Sequence, residues 1–396
     1  MKPRVLLIAL DESQPIAARL AGALARAEMD VGALAATDSI VARSRFLNGF
    51  FAQPAAFPGV EISPEGLIRA QREWQPQWLI PCDGRAVKWL NRLRAQGAHG
   101  GGLLDESLIQ LIDRSLGLPM DMAQASGPLM SGALARRFGA LAPITQSIRT
   151  VAQAEKFSAR VAWPLVFREI NDAGLGAVKL CRDPKTVAQL IGSQGLFSSL
   201  WERVMPGPVQ ARWLVQQHIP GRHWMCGFFA DGGAVMAALC CERKFNPALG
   251  RGTLSLDFQE QPQLRRLTQE LVLALGVSGF GCAEAIIDPQ GRLNLTIFRP
   301  YPPLFAHLGA ELGPDLCAAL LARLKEITYR ELPLKQPSTR VALFPQTLER
   351  DPSGLSLQGV MHDMPRDDER VLDALKSRLP LTPALSQALA NRPSVV

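Results

Sequence analysis

The stretch Ala283 to Arg299, AEAIIDPQGRLNLTIFR, decides how this chain is read. Two runs of aliphatic and β-branched residues flank Asp288-Pro289-Gln290-Gly291, a turn composition, so the stretch predicts an antiparallel hairpin. The first strand, GCAEAIID from Gly281, is apolar except for Glu284. An acid on a buried strand must be paired, protonated or bound to a metal. Asp288, at the turn, is expected to face solvent. Arg299, at the end of the second strand, is expected to pair with Glu284 or with a ligand.

Working outward, the 396 residues allow two or three domains. A hydrophobic content of 47% and a charged content of 20% are those of a folded chain and exclude a disordered one. The opening MKPRVLLIALDES has a basic end and a short apolar run that stops at Asp11-Glu12, so it reads as a first strand and not as a signal peptide. No apolar run is long enough to span a bilayer. Seven cysteines (82, 181, 226, 240, 241, 282 and 317) include no C-x-x-C pair and sit in apolar runs, as expected of small hydrophobes in a reducing cytoplasm. The formal charge of +7 comes from dispersed arginines without interleaved aromatics. It argues against nucleic acid and suits an anionic small ligand.

The fold class expected is α/β followed by α+β. Up to residue 118, strands at Val5–Leu10, Val31–Ala35 and Trp78–Pro81 alternate with helical runs at Pro15–Ala27, Ile68–Arg72 and Val87–Leu93, which predicts a parallel sheet flanked by helices. No G-x-G-x-x-G follows the first strand. A helix is expected at Leu129–Phe138. From Phe157–Val161 the pattern turns to short strands: Pro164–Arg168, Ala177–Cys181, Trp213–His218, Trp224–Ala230, Ala234–Glu242, Cys282–Asp288 and Leu293–Phe298. Helices are expected at Thr186–Ile191, Leu264–Leu275 and Leu316–Ile327, and beyond Gln336 a strand at Val341–Phe344 and a helix near Glu369–Arg378.

Three further segments carry chemistry. In WPLVFREINDAGLGAVK (163–179), a strand ending in Arg168 precedes a small-residue turn holding Gly174 and Gly176, and then Lys179. Glycines let backbone N–H groups face a phosphate, and the cations neutralise it; a plain hairpin has the same composition. In WLVQQHIPG (213–221), Gln216 and Gln217 end a strand where backbone and amide groups can hold a purine edge or a ribose. ERKFNPALGRG (242–252) is either a closing loop, with Arg243, Lys244 or Arg251 on phosphates, or a solvated connection. His218 reads as structural or as a base.

In this order the segments resemble the ATP-grasp superfamily, of the carbamoyl-phosphate-synthase-like and carboxylate–amine ligase kind, over residues 1 to about 330. WLIPCDGR (78–85) is similar to the family's first-domain strand end, Pro164–Arg168 to its P-x-V-x-K strand, Ala173–Val178 to its glycine-rich loop, Gln216–Gly221 to its hinge, and Gly279–Glu284 to its acidic strand. The resemblance implies a pre-ATP-grasp parallel-sheet domain (1–118), an ATP-grasp domain of two subdomains (119–330, with a lid at about 145–220) and a C-terminal extension (331–396). It implies ATP held by Arg168, Lys179, Gly174, Gly176, Gln216, Gln217 and Ile219, Mg²⁺ on Glu284, and Arg299 acting on a substrate carboxylate or acyl phosphate. Partners are then a small-molecule carboxylate and an amine, and a homodimer is the assembly considered. Arg168 stands for the family's Lys. Thr296 and Phe298 stand for its second acidic ligand and its Asn, with Asp257 as one substitute. Two functions therefore stay open: an ADP-forming ligase working through an acyl phosphate, and an inactive binding or regulatory protein.

Overall fold

The computed structural model describes residues 1–11, 15–54, 62–98, 104–117, 128–171, 174–192, 213–245, 255–354, 357–379 and 386. Its first sheet is β1 (Arg4–Ala9), β2 (Asp30–Ala35), β3 (Leu47–Ala52) and β4 (Trp78–Pro81), in the order β3-β2-β1-β4 and parallel throughout. The strands β1, β2 and β4 are apolar along most of their length because helices cover both faces. Helix Ile16–Arg26 supplies one cover through Ile16, Leu20 and Leu24, and helix Glu106–Leu116 supplies another through Leu108, Leu111 and Ile112. That second helix and β3 carry no expectation from sequence; β3 alternates buried and exposed residues and includes Asn48 and Gly49, which weaken a strand signal.

A four-stranded antiparallel sheet follows, of β5 (Thr145–Ile148), β6 (Leu165–Asn171), β7 (Gly174–Cys181) and β8 (Trp213–Gln217) in the order β5-β8-β6-β7. Residues 157–161, expected to begin the strand region, instead end a helix, Val151–Val161. Thr150 and Gln153 start it with a reciprocal capping box, a signal at its first residues that outweighs the β-branched Val161 at its end. Gly174 and Gly176, expected in the turn, are the first and third residues of β7, and residues 172–173 of that turn lie outside the described residues.

The third sheet has seven strands: β9 (Arg222–Asp231), β10 (Ala234–Lys244), β11 (Ser255–Phe258), β12 (Gly279–Ile287), β13 (Leu293–Arg299), β14 (Thr339–Leu343) and β15 (Met361–Asp363). Their order is β13-β12-β9-β10-β11-β14-β15, antiparallel until the final parallel pair. Alternation gives it two apolar faces. Trp224, Cys226, Phe228, Ala283 and Phe298 pack on helices Pro262–Leu275 and Pro128–Arg137. On the other face Met225, Cys241, Phe258 and Cys282 pack under Phe305, Leu308 and Leu312. Trp78 of β4 meets Phe229 (ring centroids 5.8 Å apart), so the parallel sheet and the seven-stranded sheet share a core. Val371, Leu372 and Leu375 of helix Glu369–Lys376 belong to that same core.

All seven cysteines are buried and free. Among the described residues no helix is long and apolar enough to cross a membrane.

Candidate functional site

Pairing register places the chemistry. Glu284 of β12 lies beside Met225 of β9 and Ile297 of β13, and Met225 lies beside Cys241 of β10. Stepping two residues along the strands on the same face brings Arg299, beside Cys282, at one end and His223, beside Arg243, at the other. A strip Arg299–Glu284–Arg243–His223 therefore crosses four strands on one face. Glu284 is 5% exposed. Its Oε1 forms an ion pair with Arg299 NH1 at 2.9 Å, and its Oε2 accepts from Arg243 NH1 at 3.5 Å. Burial pushes the Glu284 pKa up, but Arg299, Arg243, Arg168 and His223 together bring it below the usual carboxylate value. Burial likewise disfavours the charged Arg299, and Glu284 reverses that, so the guanidinium stays charged. Of the two pairings expected for Arg299, the one with Glu284 is present.

Arg168 reaches this strip from a different sheet. It sits on β6 in the row Val178–Arg168–Leu214, with its Nε donating to Gln216 Oε1 at 3.2 Å, while Gln216 Nε2 donates to Thr145 Oγ1 at 3.1 Å. Arg168 is among the cations that favour the ionised Glu284 carboxylate, so its face of the four-stranded sheet, which also carries Gln216, is the wall nearest the strip. Lys179 is not brought to that wall. It lies in the adjacent row with Phe167 and Val215, whose side chains pack under helices Val151–Val161 and Pro184–Gly192, and it is exposed. Gln217 shares that second face and is tied to the chain: its N donates to the Ile144 carbonyl at 2.8 Å and its Oε1 accepts from Ile144 N at 3.3 Å. Ile219 is half-buried in the connection to β9. Gly221 closes that connection at φ 153°, where a Cβ would stand 2.2 Å from the Ile287 carbonyl oxygen. Of the segment expected as a loop from Glu242, Glu242, Arg243 and Lys244 are the last residues of β10, paired with β11, and residues 246–254, including Arg251, lie outside the described residues.

The second half of the hairpin departs from simple alternation. Register shifts by one between Glu284/Ile297 and Ala285/Leu295, leaving Thr296 as the extra residue of a β-bulge. Its hydroxyl donates to the Glu284 carbonyl at 2.9 Å. Leu295 and Phe298 then share the face opposite Glu284, where Phe298 stacks on Phe228 (5.8 Å, 23°). Asp257 pairs in register with Glu242, and so also points to the opposite face; it accepts from Ser338 Oγ at 2.6 Å and Gln259 Nε2 at 2.7 Å. Asp288, expected to be exposed, is buried and caps the turn by accepting from Gln290 N, Arg292 N and Arg292 Nε. An Asp at the head of a tight turn folds back on the backbone donors that follow it.

These residues do not make a magnesium site. A hard cation takes several oxygen ligands, usually with more than one carboxylate or a phosphate. Glu284 gives each of its oxygens to a guanidinium, Thr296 donates to the backbone, and Phe298 and Asp257 face away. Among the described residues no group of three or more His, Cys, Asp or Glu could hold a metal ion. What the strip can do chemically is hold anionic oxygens with charge-assisted N–H donors.

Two residues of the site carry no expectation from sequence. His223 is visible only through the period-2 alternation of β9. Tyr301 follows the hairpin, with Arg299 lying over its ring at 6.0 Å. Burial raises the Tyr301 pKa, Arg299 opposes this, and Glu284 and Asp83 add to it. Asp83 belongs to WLIPCDGR. Its carboxylate accepts from Leu10 N (2.8 Å), Asp11 N (3.0 Å) and Ala86 N (2.8 Å), joining the end of β1 to the start of helix Gly84–Ala98. That stretch thus ends the first sheet close enough to Tyr301 for the Asp83 charge to act on it.

No family model matches the sequence. No curated protein matches it either. Solved structures do. An L-amino acid ligase from Bacillus licheniformis superposes with a TM-score of 0.57 at 14% identity, over 82% of this chain and 74% of that one. An N5-carboxyaminoimidazole synthase from Aspergillus clavatus, in complex with ADP and 5-aminoimidazole ribonucleotide, gives 0.61 at 10% identity, over 86% and 81%. The biotin carboxylase domain of a 2-oxoglutarate carboxylase from Hydrogenobacter thermophilus, in complex with MgADP, ADP and bicarbonate, gives 0.56 at 14% identity, over 84% and 71%. At these identities the likeness is one of fold.

Proposed function

Because the chain has a divergent ATP-grasp superfamily fold, we propose that it is an ATP-dependent ligase joining a carboxylate to an amine or related nucleophile. One observation supports this reading: Arg299 and Arg243 meet on Glu284, and Arg168, bonded to Gln216, adds its charge to the same carboxylate. The superposed enzymes include structures holding ADP, and a site of this composition suits a nucleotide's phosphates.

In this reading Gln216, Gln217 and Ile219 hold base and ribose, the last two through backbone groups at the strand end. Arg168 holds phosphate, and Gly174 and Gly176 allow the β6–β7 turn to come close. Lys179 joins only if the lid closes with that edge of the sheet turned inward. Arg299 holds the substrate carboxylate and then the acyl phosphate. A carboxylate oxygen attacks the terminal phosphorus and the bond to ADP breaks. The amine then attacks the acyl carbon, phosphate leaves with the bonding pair, and the amine's proton passes to solvent. Guanidiniums assist by offsetting charge on the transferring oxygens. The functional units are residues 1–118, 119–330 with a lid at about 145–220, and 331–396.

The test is ADP formation with panels of carboxylates and amines. Substrate-dependent release, lost in Arg299→Met, is expected. Nucleotide binding without release for any pair would move the conclusion to the second reading, a non-catalytic nucleotide-binding protein. That each oxygen of Glu284 is already paired with a guanidinium favours that alternative.

A further inference from the structure

Cys226 of β9 and Cys240 of β10 stand directly opposite each other in register. The flanking bonds show which kind of pair they form. The Cys240 carbonyl accepts from the N of Gln259, the residue after β11, at 3.3 Å. A strand residue's N–H and C=O point to the same side, so the Cys240 backbone faces β11 and turns away from β9. Ala238, two residues back, agrees: its N donates to Glu331 Oε1 at 2.7 Å and its carbonyl accepts from Arg265 NH1 at 3.0 Å. Cys226 and Cys240 are therefore a non-hydrogen-bonded pair, the kind whose Cα atoms lie about 4.5 Å apart and whose side chains come closest. A disulfide spans Cα separations of about 4.4–6.8 Å. Both side chains lie on the face under helix Pro262–Leu275, and the sulfurs are within hydrogen-bonding reach of each other. We propose that Cys226 and Cys240 form a peroxide-reactive dithiol that closes into a cross-strand disulfide, a reversible staple between β9 and β10.

The two thiols differ. The contact with Cys240 brings the Cys226 thiol below its ordinary value against the cost of burial, and Thr268 and Arg265 add to this. The same contact and burial push the Cys240 thiol well up. Cys226 therefore supplies the thiolate, the nucleophilic form. Cys226 is 0% exposed and Cys240 4%, so a bulky disulfide is kept out and the oxidant is hydrogen peroxide, little larger than water. The Cys226 sulfur attacks one peroxide oxygen, the O–O bond breaks, and the departing hydroxide takes the Cys240 proton to become water. The Cys240 thiolate then attacks the sulfenic sulfur of Cys226. The S–S bond forms, and hydroxide leaves and is neutralised by the proton that Cys226 gave up, so two thiols and one peroxide yield one disulfide and two waters. Neighbouring Cys241 points to the other face, among Phe258 and Phe305, and takes no part.

The test oxidises the folded, reduced full chain with hydrogen peroxide, blocks remaining thiols with N-ethylmaleimide, and maps the digest by tandem mass spectrometry. A Cys226–Cys240 cross-linked peptide, lighter by two hydrogens, is expected. Dithiothreitol should readily restore both thiols, because the Cα spacing lies at the short end of the disulfide range. The oxidised chain should unfold at a higher urea midpoint than the reduced one, since the bridge restrains the unfolded chain. Cys240→Ser should lose the bridge and leave a Cys226 sulfenic acid that dimedone traps, while Cys241→Ala keeps the bridge. Should Cys240→Ser fail to fold, the wild-type peptide map decides. Cys226 and Cys240 recovered as free thiols, bridged to other cysteines, or oxidised singly without a bridge each overturn the inference. A bridge that leaves the urea midpoint unmoved overturns the staple.

Discussion

Residue spacing alone suggests that Phe298→Asn would return an oxygen ligand to the site. The structure predicts a different result. Phe298 is fully buried on the far face of β13, stacked on Phe228 under helix Pro262–Leu275. Removing a buried phenylalanine ring costs about 3–5 kcal/mol. The new amide would lie among Phe228, Leu295 and Ala283, and leaving it without hydrogen-bond partners adds about 1–3 kcal/mol. The sum, roughly 4–8 kcal/mol, is comparable to the whole stability of a typical domain, about 5–15 kcal/mol. Urea denaturation followed by circular dichroism should therefore show Phe298→Asn largely unfolded or shifted far to low midpoint. Phe298→Leu, which keeps most of the volume, should lose only about 1 kcal/mol. Magnesium should not raise the melting temperature of the Asn variant. If that variant keeps wild-type stability, or gains a magnesium-dependent stabilisation, then Phe298 faces the site and the register described for β13 is wrong.

Glu284→Gln should destabilise the chain by about 2–3 kcal/mol, at or just below the low end of the range for breaking a buried pair, since both guanidiniums keep about a quarter of their surface in water. The folded carboxyl titrates below its usual 4.5, so its contribution is complete above that pH and is lost as pH falls through the folded value. The gap between wild type and variant should narrow in acid, and a gap independent of pH would contradict the pairing. His307 is buried, its Nε2 2.8 Å from Asp363 Oδ1, and burial, its largest influence, lowers its pKa below 6.5. Stability should therefore fall as pH drops below that value, and denaturation midpoints of His307→Gln should lack this component. Gly221→Ala, forced against the Ile287 carbonyl, should cost about 1–3 kcal/mol in the same assay.

The hairpin was legible because two signals agree, a period of two and a turn composition. Glu284 was recognisable as an acid in need of a partner, and Arg299 as that partner, because both lie on regular stretches. Phe298 was not legible as core. The bulge at Thr296 shifts the phase of β13, so Leu295 and Phe298, three residues apart, share a face, and counting residues misses that. Arg168 and Lys179 look equivalent along the chain, but inter-strand register sets them in adjacent rows on opposite faces. The Val151–Val161 helix was hidden because its capping signal lies upstream of the residues that suggested strand. Arg243 was named for its charge alone. Its place beside His223, on Glu284's face, follows only from three strands being paired in register.

The core that unites helix Ile16–Arg26 with helix Glu369–Lys376 has a consequence for biosynthesis. Ile16, Leu20 and Leu24 share a cluster with Val371, Leu372 and Leu375. Arg19 is bonded to Asp363, and Ser44 Oγ donates to Asp368 Oδ2 at 2.6 Å. At about 5–20 residues per second, a ribosome needs roughly 20–75 s to travel between these segments. For that interval the early helix has the first sheet beneath it but lacks the cover that Val371, Leu372 and Leu375 add, and closing so long a loop is slow. A stall late in translation would release a product whose sheets are nearly all made but whose first core is still open.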